Sequence, residues 1–175
     1  KEIKAAPGYV LDSTPQSIRI NPGEAQTMTF YNDCKGCLVI RKVDSVTGEA
    51  LAGAEYLITR IDGSYVDYNE GHTSTQGVYS TDRNGEIRLK NLDPDTYVIR
   101  ETRAPEGHVL SGEERSVQVN ASDTQTVVFE NTALQTVVIQ KYINGTTKPL
   151  AGVVFLVTDG SGCPIGSADG KHMTD

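Results

Sequence analysis

The chain has 175 residues, with 16 Lys and Arg against 23 Asp and Glu and a net charge of −7 at pH 7, long enough for one or two domains with a real core. A phosphate-tracking surface needs clustered basic side chains that this balance lacks, so neither nucleic acid nor an anionic membrane is expected as a partner. No apolar run approaches the roughly 20 residues of a membrane span, and no charged-then-apolar leader opens the chain.

The 17 Gly and 7 Pro punctuate stretches of Val, Thr, Ile and Tyr, which predicts an all-β protein of short strands joined by turns, without a strong helix. In chain order, "KEIKAAPGYVL" comes first, and "TMTFYND" (27–33) places Met28, Phe30 and Asn32 on one face of a strand, because side chains two apart share a face. "CKGC" holds Cys34 and Cys37; with Cys163 alone elsewhere, a four-ligand zinc site cannot be assembled and the pair reads as free or locally oxidised. Next, "LVIRKVDSVTGEALAGAEYLI" (38–58) sets Lys42 in phase with Leu38 and Ile40. The Tyr- and Gly-rich stretch 65–79 reads as an exposed loop. "DRNGEI" (82–87) reads as a hairpin turn by its Asn-Gly, and it lacks the later ligands of a calcium loop. Tyr97-Ile99-Glu101 and Val127-Phe129-Asn131 are two more strand faces that end on a polar residue. His72, His108 and His172 fall in turn-like segments without ligand spacing and read as solvated. No metal or cofactor is expected.

"VVIQKYINGTTKPLAGVVFLV" (137–157) repeats the lysine stretch, and the repeat has a fixed shift. Lys42 falls on Lys141, Leu51-Ala52-Gly53 on Leu150-Ala151-Gly152, Asn32 on Asn131 and Glu2 on Glu101, each 99 residues apart. The expected organisation is therefore one complete unit over 34–132, the last part of a preceding unit over 1–33, and the opening of a following one over 133–175. The following unit is expected to be about six residues shorter near the 65–79 loop, with His172 matched to His72. A head-to-tail pair of chains would rebuild a unit lacking only the 17 positions equivalent to Arg83 through Ile99. Their loss leaves an open sheet edge and a thinner core, so the ends are not expected to pair efficiently.

Lys42, Glu101 and Asn131 thus sit on apolar faces of three strands. One arrangement is a buried salt bridge beside a satisfied Asn, but taking two ions out of water costs on the order of several kcal/mol each before attraction offsets it. Burial lowers a lysine pKa and raises a carboxyl pKa. An uncharged amine is a nucleophile, and a carboxamide carbon beside it is an electrophile. With Glu101 hydrogen-bonded to the Asn131 carbonyl and passing a proton to departing ammonia, the product is a Lys42–Asn131 amide with no buried charge. Glu2, Asn32 and Lys141 are the equivalent positions in the partial units.

The lysine strand, "LAGAEYLI", "TDRNGEI", "YVIRETRAPEGHVL" and the closing "VVFENT" together resemble the SpaA-type or Cna B-type repeat domains of Gram-positive surface proteins and pilins. That resemblance spans the complete unit and both partial ones. It implies a transthyretin-like, immunoglobulin-like β-sandwich in tandem repeats, an autocatalytic Lys–Asn isopeptide bond assisted by the Glu, and service as extracellular, wall-anchored stalk modules whose partners are neighbouring repeats. The chemistry is a single turnover, so the chain is not an enzyme. His108 stands where the family favours Tyr, and the first unit keeps Tyr9 but carries its proline at Pro7. No sortase signal or pilin-type linkage motif is present. The alternative is an adhesin module that binds a host matrix protein or glycan through the 65–79 loop. A hydrolase has no Ser–His–Asp order, metal cluster or phosphate loop to support it.

Overall fold

The structure is a computed structural model that describes residues 1–69 and 72–175; Glu70 and Gly71 of the 65–79 loop, with the side chains of Tyr68, Asn69, His72 and Thr73, lie outside the described residues. In chain order the strands are β1 (Gly36–Asp44), β2 (Glu55–Arg60), β3 (Tyr68–Asn69), β4 (His72–Thr73), β5 (Val78–Ser80), β6 (Glu86–Leu92), β7 (Asp95–Arg103), β8 (Glu114–Val119), β9 (Thr124–Asn131), β10 (Val154–Leu156) and β11 (Lys171–Met173). No helix forms among the described residues. The chain divides into two compact units, Lys1–Leu134 and Gln135–Asp175.

The first unit is a β-sandwich of a three-stranded sheet, β6-β1-β9, and a four-stranded sheet, β5-β2-β7-β8. Its first and last long strands are direct neighbours: β1 and β9 run parallel, pairing Cys37 with Thr124 through Asp44 with Asn131. Alternation supplies the core, since most inward residues along the strands are apolar. Leu38, Ile40, Leu89 and Phe129 of one sheet and Tyr56, Ile58, Tyr97 and Ile99 of the other are fully buried. Arg115 of β8 joins the sheets along one side, donating to the Val128 carbonyl at 2.7 Å with its guanidinium 4.8 Å over the Phe129 ring.

The "DRNGEI" turn differs from the expected hairpin. Asp82 N donates to the Glu86 carbonyl at 3.0 Å and Gly85 N to the Asp82 carbonyl at 2.9 Å, so the reversal is tight, yet β5 and β6 join different sheets. The turn carries the chain across the sandwich and seats it against the lysine strand. Lys42 N donates to the Gly85 carbonyl at 2.8 Å. Gly85 has φ +70°, and a Cβ there would lie 2.6 Å from the Lys42 carbonyl oxygen, so only glycine combines this conformation with so close an approach.

The expected strands at Met28–Asn32 and Val137–Lys141 do not form. A strand's backbone groups are satisfied by its neighbours, and the counterparts of these segments, β9 and β1, are each other's neighbours. Local geometry nevertheless recurs at the same spacing. Val10 N donates to the Asp33 carbonyl as Val109 N does to that of Thr132, and Lys35 N to that of Gly8 as Leu134 N does to that of Gly107. In the second unit, Phe155 faces His172 as Tyr56 faces Tyr79. His172 therefore matches Tyr79, not His72. Ile165 N reaches the Val157 carbonyl as Val66 N reaches that of Ile58, while Val157 N meets Gly170 as Ile58 N meets Gly77. The shortening thus falls between the counterparts of Val66 and Gly77.

Candidate functional site

Parity along β1 and β9 turns Lys42 and Asn131 into the sandwich, and the parallel register sets Lys42 opposite Phe129, one inward position short of Asn131. A lysine reaches across that step. Glu101 enters from the other sheet on β7, opposite Tyr56 of β2. All three polar side chains are inside: Lys42 is 0%, Glu101 4% and Asn131 3% exposed.

Lys42 Nζ donates to Asn131 Oδ1 and lies 3.1 Å from Glu101 Oε1. The same Oε1 accepts from Asn131 Nδ2 at 2.9 Å, while Glu101 Oε2 accepts from the Ser111 backbone N–H at 2.8 Å. The rings of Tyr56 and Phe129, with centroids 5.0 Å apart, wall the chamber and stand 5.9 Å from Nζ each. Burial pushes the Lys42 amine below its ordinary pKa, opposed by the hydrogen bond and charge of Glu101. The expected hydrogen bond from Glu101 to the Asn131 carbonyl is not the one formed. Glu101 takes the amide nitrogen and leaves the carbonyl to the amine.

That arrangement favours chemistry. The amine abuts the carboxamide it would attack, and one carboxyl oxygen touches both the attacking nitrogen and the nitrogen that would leave. A proton transfer needs donor and acceptor within about 2.6–3.2 Å, and both contacts fall there. Glu2 and Asn32 repeat half of this geometry: Asn32 Nδ2 donates to Glu2 Oε2 at 2.6 Å and to the Val10 carbonyl at 3.0 Å. The Asp12 N–H reaches Glu2 Oε2 at 3.0 Å, as Ser111 does Glu101. Lys141 is exposed on the second unit. Cys34, Cys37 and Cys163 are free thiols.

Sequence reasoning missed the ring walls, although the alternation of Tyr56 with Ile58 pointed inward. It missed Ser111, a backbone contact that no side chain announces. His108 is also corrected: it is not solvated, since its Nε2 lies 3.1 Å from Asp44 Oδ2 with side-chain exposures of 13% and 10%. Nothing in the intervening sequence signals that pairing.

Asp44 closes the end of β1 beside Asn131. Its Oδ1 accepts from the Val46 and Thr47 N–H groups at 2.8 Å each. Chiefly through those bonds, with His108 adding to them, its pKa falls to about 2. A carboxylate with a depressed folded-state pKa stabilises the fold fully above the unfolded value and loses that contribution as pH falls through the folded one. Melting temperature is therefore expected to drop between pH 4 and about 2, with a shallower drop in Asp44→Asn. Parallel acid limbs in parent and variant would contradict the assignment.

The sequence profile of the SpaA prealbumin-like fold domain matches residues 36–133. No curated protein matches the chain. Among solved structures, GBS52, the minor pilin of the Gram-positive pathogen Streptococcus agalactiae, is 27% identical over 61% of this chain and 48% of its own, with a TM-score of 0.51. The Bacillus anthracis TIE protein is 28% identical over 77% of this chain and 24% of its own, with a TM-score of 0.50. The group B streptococcus pilus 2b backbone protein, at 22% identity and TM-score 0.50 over 69% of this chain and 47% of its own, shares the fold. The matches thus span half or less of those longer proteins.

Proposed function

Because the chain belongs to the SpaA prealbumin-like fold family, we propose that it is a structural stalk module of a pilin-like or adhesin-like cell-surface protein, closed by an intramolecular Lys42–Asn131 isopeptide bond. Residues 34–132 form the complete module, 1–33 the end of a preceding one and 133–175 the start of a following one. The module works outside the cell, anchored to the wall through another region, with neighbouring modules as its partners. No helix among the described residues is long and apolar enough to cross a membrane.

The observation that carries the reading is the double contact of Glu101 Oε1, 3.1 Å from Lys42 Nζ and 2.9 Å from Asn131 Nδ2, in a buried chamber. In the uncharged state, the amine lone pair attacks Cγ of Asn131. One of its two protons passes to Glu101, which delivers one to Nδ2. The Cγ–Nδ2 bond breaks, ammonia leaves, and Glu101 ends in the state in which it began. Tyr56 and Phe129 exclude water from the amine, which favours its uncharged form.

Intact mass tests this. The purified chain is expected to weigh about 17 Da less than its sequence, the mass of one ammonia. Glu101→Gln is expected to fold yet retain the full sequence mass, since an amide can hydrogen-bond but cannot accept and return the proton. An unshifted parent mass rules out the bond; a full loss in Glu101→Gln rules out the role of Glu101.

A further inference from the structure

Arg115 occupies an inward-facing position. It pairs with Ile99 across β7 and β8, Ile99 is fully buried, and Val117 and Val119 share the Arg115 face of β8. An arginine is almost never sealed in a core unpaired, and this one brings its head out at the seam between the sheets, with the side chain 39% exposed. Its planar fork meets two acceptors at once. Nη1 donates to the Val128 carbonyl at 2.7 Å and Nε to Glu113 Oε1 at 2.7 Å, while the guanidinium covers the Phe129 ring.

This grip spans the gap on which the reaction depends. β8 and β9 are consecutive in the chain, yet β8 is the edge of the four-stranded sheet and β9 the edge of the three-stranded one. Side chains, not a backbone ladder, therefore set the distance between them. Arg115 lies four positions before Val119, the last residue of β8, and Val128 lies four after Thr124, the first of β9. Asn131 follows three positions farther along β9, and Glu101 two beyond Ile99 on β7. Glu113 is tied back as well: its N–H donates to Ser111 Oγ at 3.3 Å, and the Ser111 N–H holds Glu101 Oε2 at 2.8 Å. Contacts thus run without a break from Glu101 to the strand of Asn131.

We propose that Arg115 is a positioning residue for the joining of Lys42 to Asn131: gripping Glu113 and the Val128 carbonyl together, it holds the Asn131 strand where Glu101 reaches the carboxamide. The proposal rests on the isopeptide reading and adds no covalent step to it. Geometry is its means of action. Burial is the first cause of the lowered Lys42 pKa, opposed by the hydrogen bond and charge of Glu101, and the charges of Glu113 and Arg115 enter last with opposite signs. A misplacement of about 1 Å can slow an oriented reaction on the order of 10²-fold.

The test follows bond formation in time. Full chains are made by cell-free translation at a series of pH values, stopped with denaturant at intervals and read by intact mass, the cross-linked share being lighter by about 17 Da. Arg115→Met keeps an apolar stem over Phe129 without the fork, and is expected to slow the reaction on the order of 10²-fold at every pH. Arg115→Lys should stay slow, because an ammonium on a flexible stem does not reproduce a planar grip on two acceptors. In a Glu101→Gln background, where no bond forms, Arg115→Met should melt within a few degrees of Glu101→Gln alone, as expected of a partly exposed ion pair. Parent-like rates in Arg115→Met overturn the assignment and leave the Lys42–Asn131 bond standing. So does full recovery by Arg115→Lys, or a deficit that vanishes at high pH, since either makes charge and not position the cause. A fall of tens of degrees in the Glu101→Gln background makes Arg115 a general stabiliser and also overturns it. A parent that never loses mass overturns the isopeptide reading and the role of Arg115 with it.

Discussion

Lys42→Met is expected to melt roughly 15–40 °C below the parent, taking about 4–5 kcal/mol for loss of the cross-link and the usual 4–8 °C per kcal/mol for a domain of 60–100 residues. The estimate treats the amide as a loop closure: 88 residues lie between Lys42 and Asn131, and tying their ends removes conformations from the unfolded chain and not from the folded one. Methionine is the informative replacement because it fills a similar volume without an amine, so β1 keeps its packing against Tyr56 and Phe129. Lys42→Ala should melt lower still, since it adds a cavity beside those rings. Intact mass taken alongside the melts shows which samples carry the bond. A Lys42→Met chain that melts within a few degrees of the parent would remove the cross-link from any account of stability.

Under tension the expected contrast is larger. β1 and β9 are parallel neighbours over eight paired positions, so force entering before Gly36 and leaving after Asn131 shears that ladder lengthwise. A Lys42–Asn131 bond spans the same two strands and carries the load before the ladder does. The parent is therefore expected to show no unfolding step within the 34–132 unit in single-molecule stretching. Lys42→Met should release roughly 300 Å, about 3.4 Å for each residue between the two positions. Residue count alone allows roughly 34 Å of slack over the ten steps from Asn32 to Lys42, but residues 36–42 already lie extended in β1. Most of that length is spent before any force is applied. A 300 Å step in a parent sample whose mass shows the bond would mean that load bypasses it.

Much of this site is legible from residue order. Alternation along three stretches assigns Lys42, Glu101 and Asn131 to inward faces before any fold is known, because a strand's side chains repeat every two residues whatever its neighbours are. The 99-residue spacing selects which Glu and Asn accompany which Lys. Local chemistry likewise announces the reversal at Asn84-Gly85. What residue order does not hold is the choice of neighbour. β1 and β9 lie side by side though their paired positions are 87 residues apart, and the turn at Gly85 joins two sheets because β6 finds its partner in β1 and β5 in β2. The same limit explains His108, whose partner Asp44 is 64 positions away. It explains the segments 28–32 and 137–141 too, which carry strand patterns but form no strands, since a strand's hydrogen bonds belong to the pair and not to the segment. Which atom of Asn131 meets Glu101 was also decided by packing: the amine approaching along β1 occupies the carbonyl side, so the carboxyl crossing from β7 takes the nitrogen. Alternation is a property of one strand and could be read from it, whereas pairing and approach direction arise only where strands distant in sequence meet.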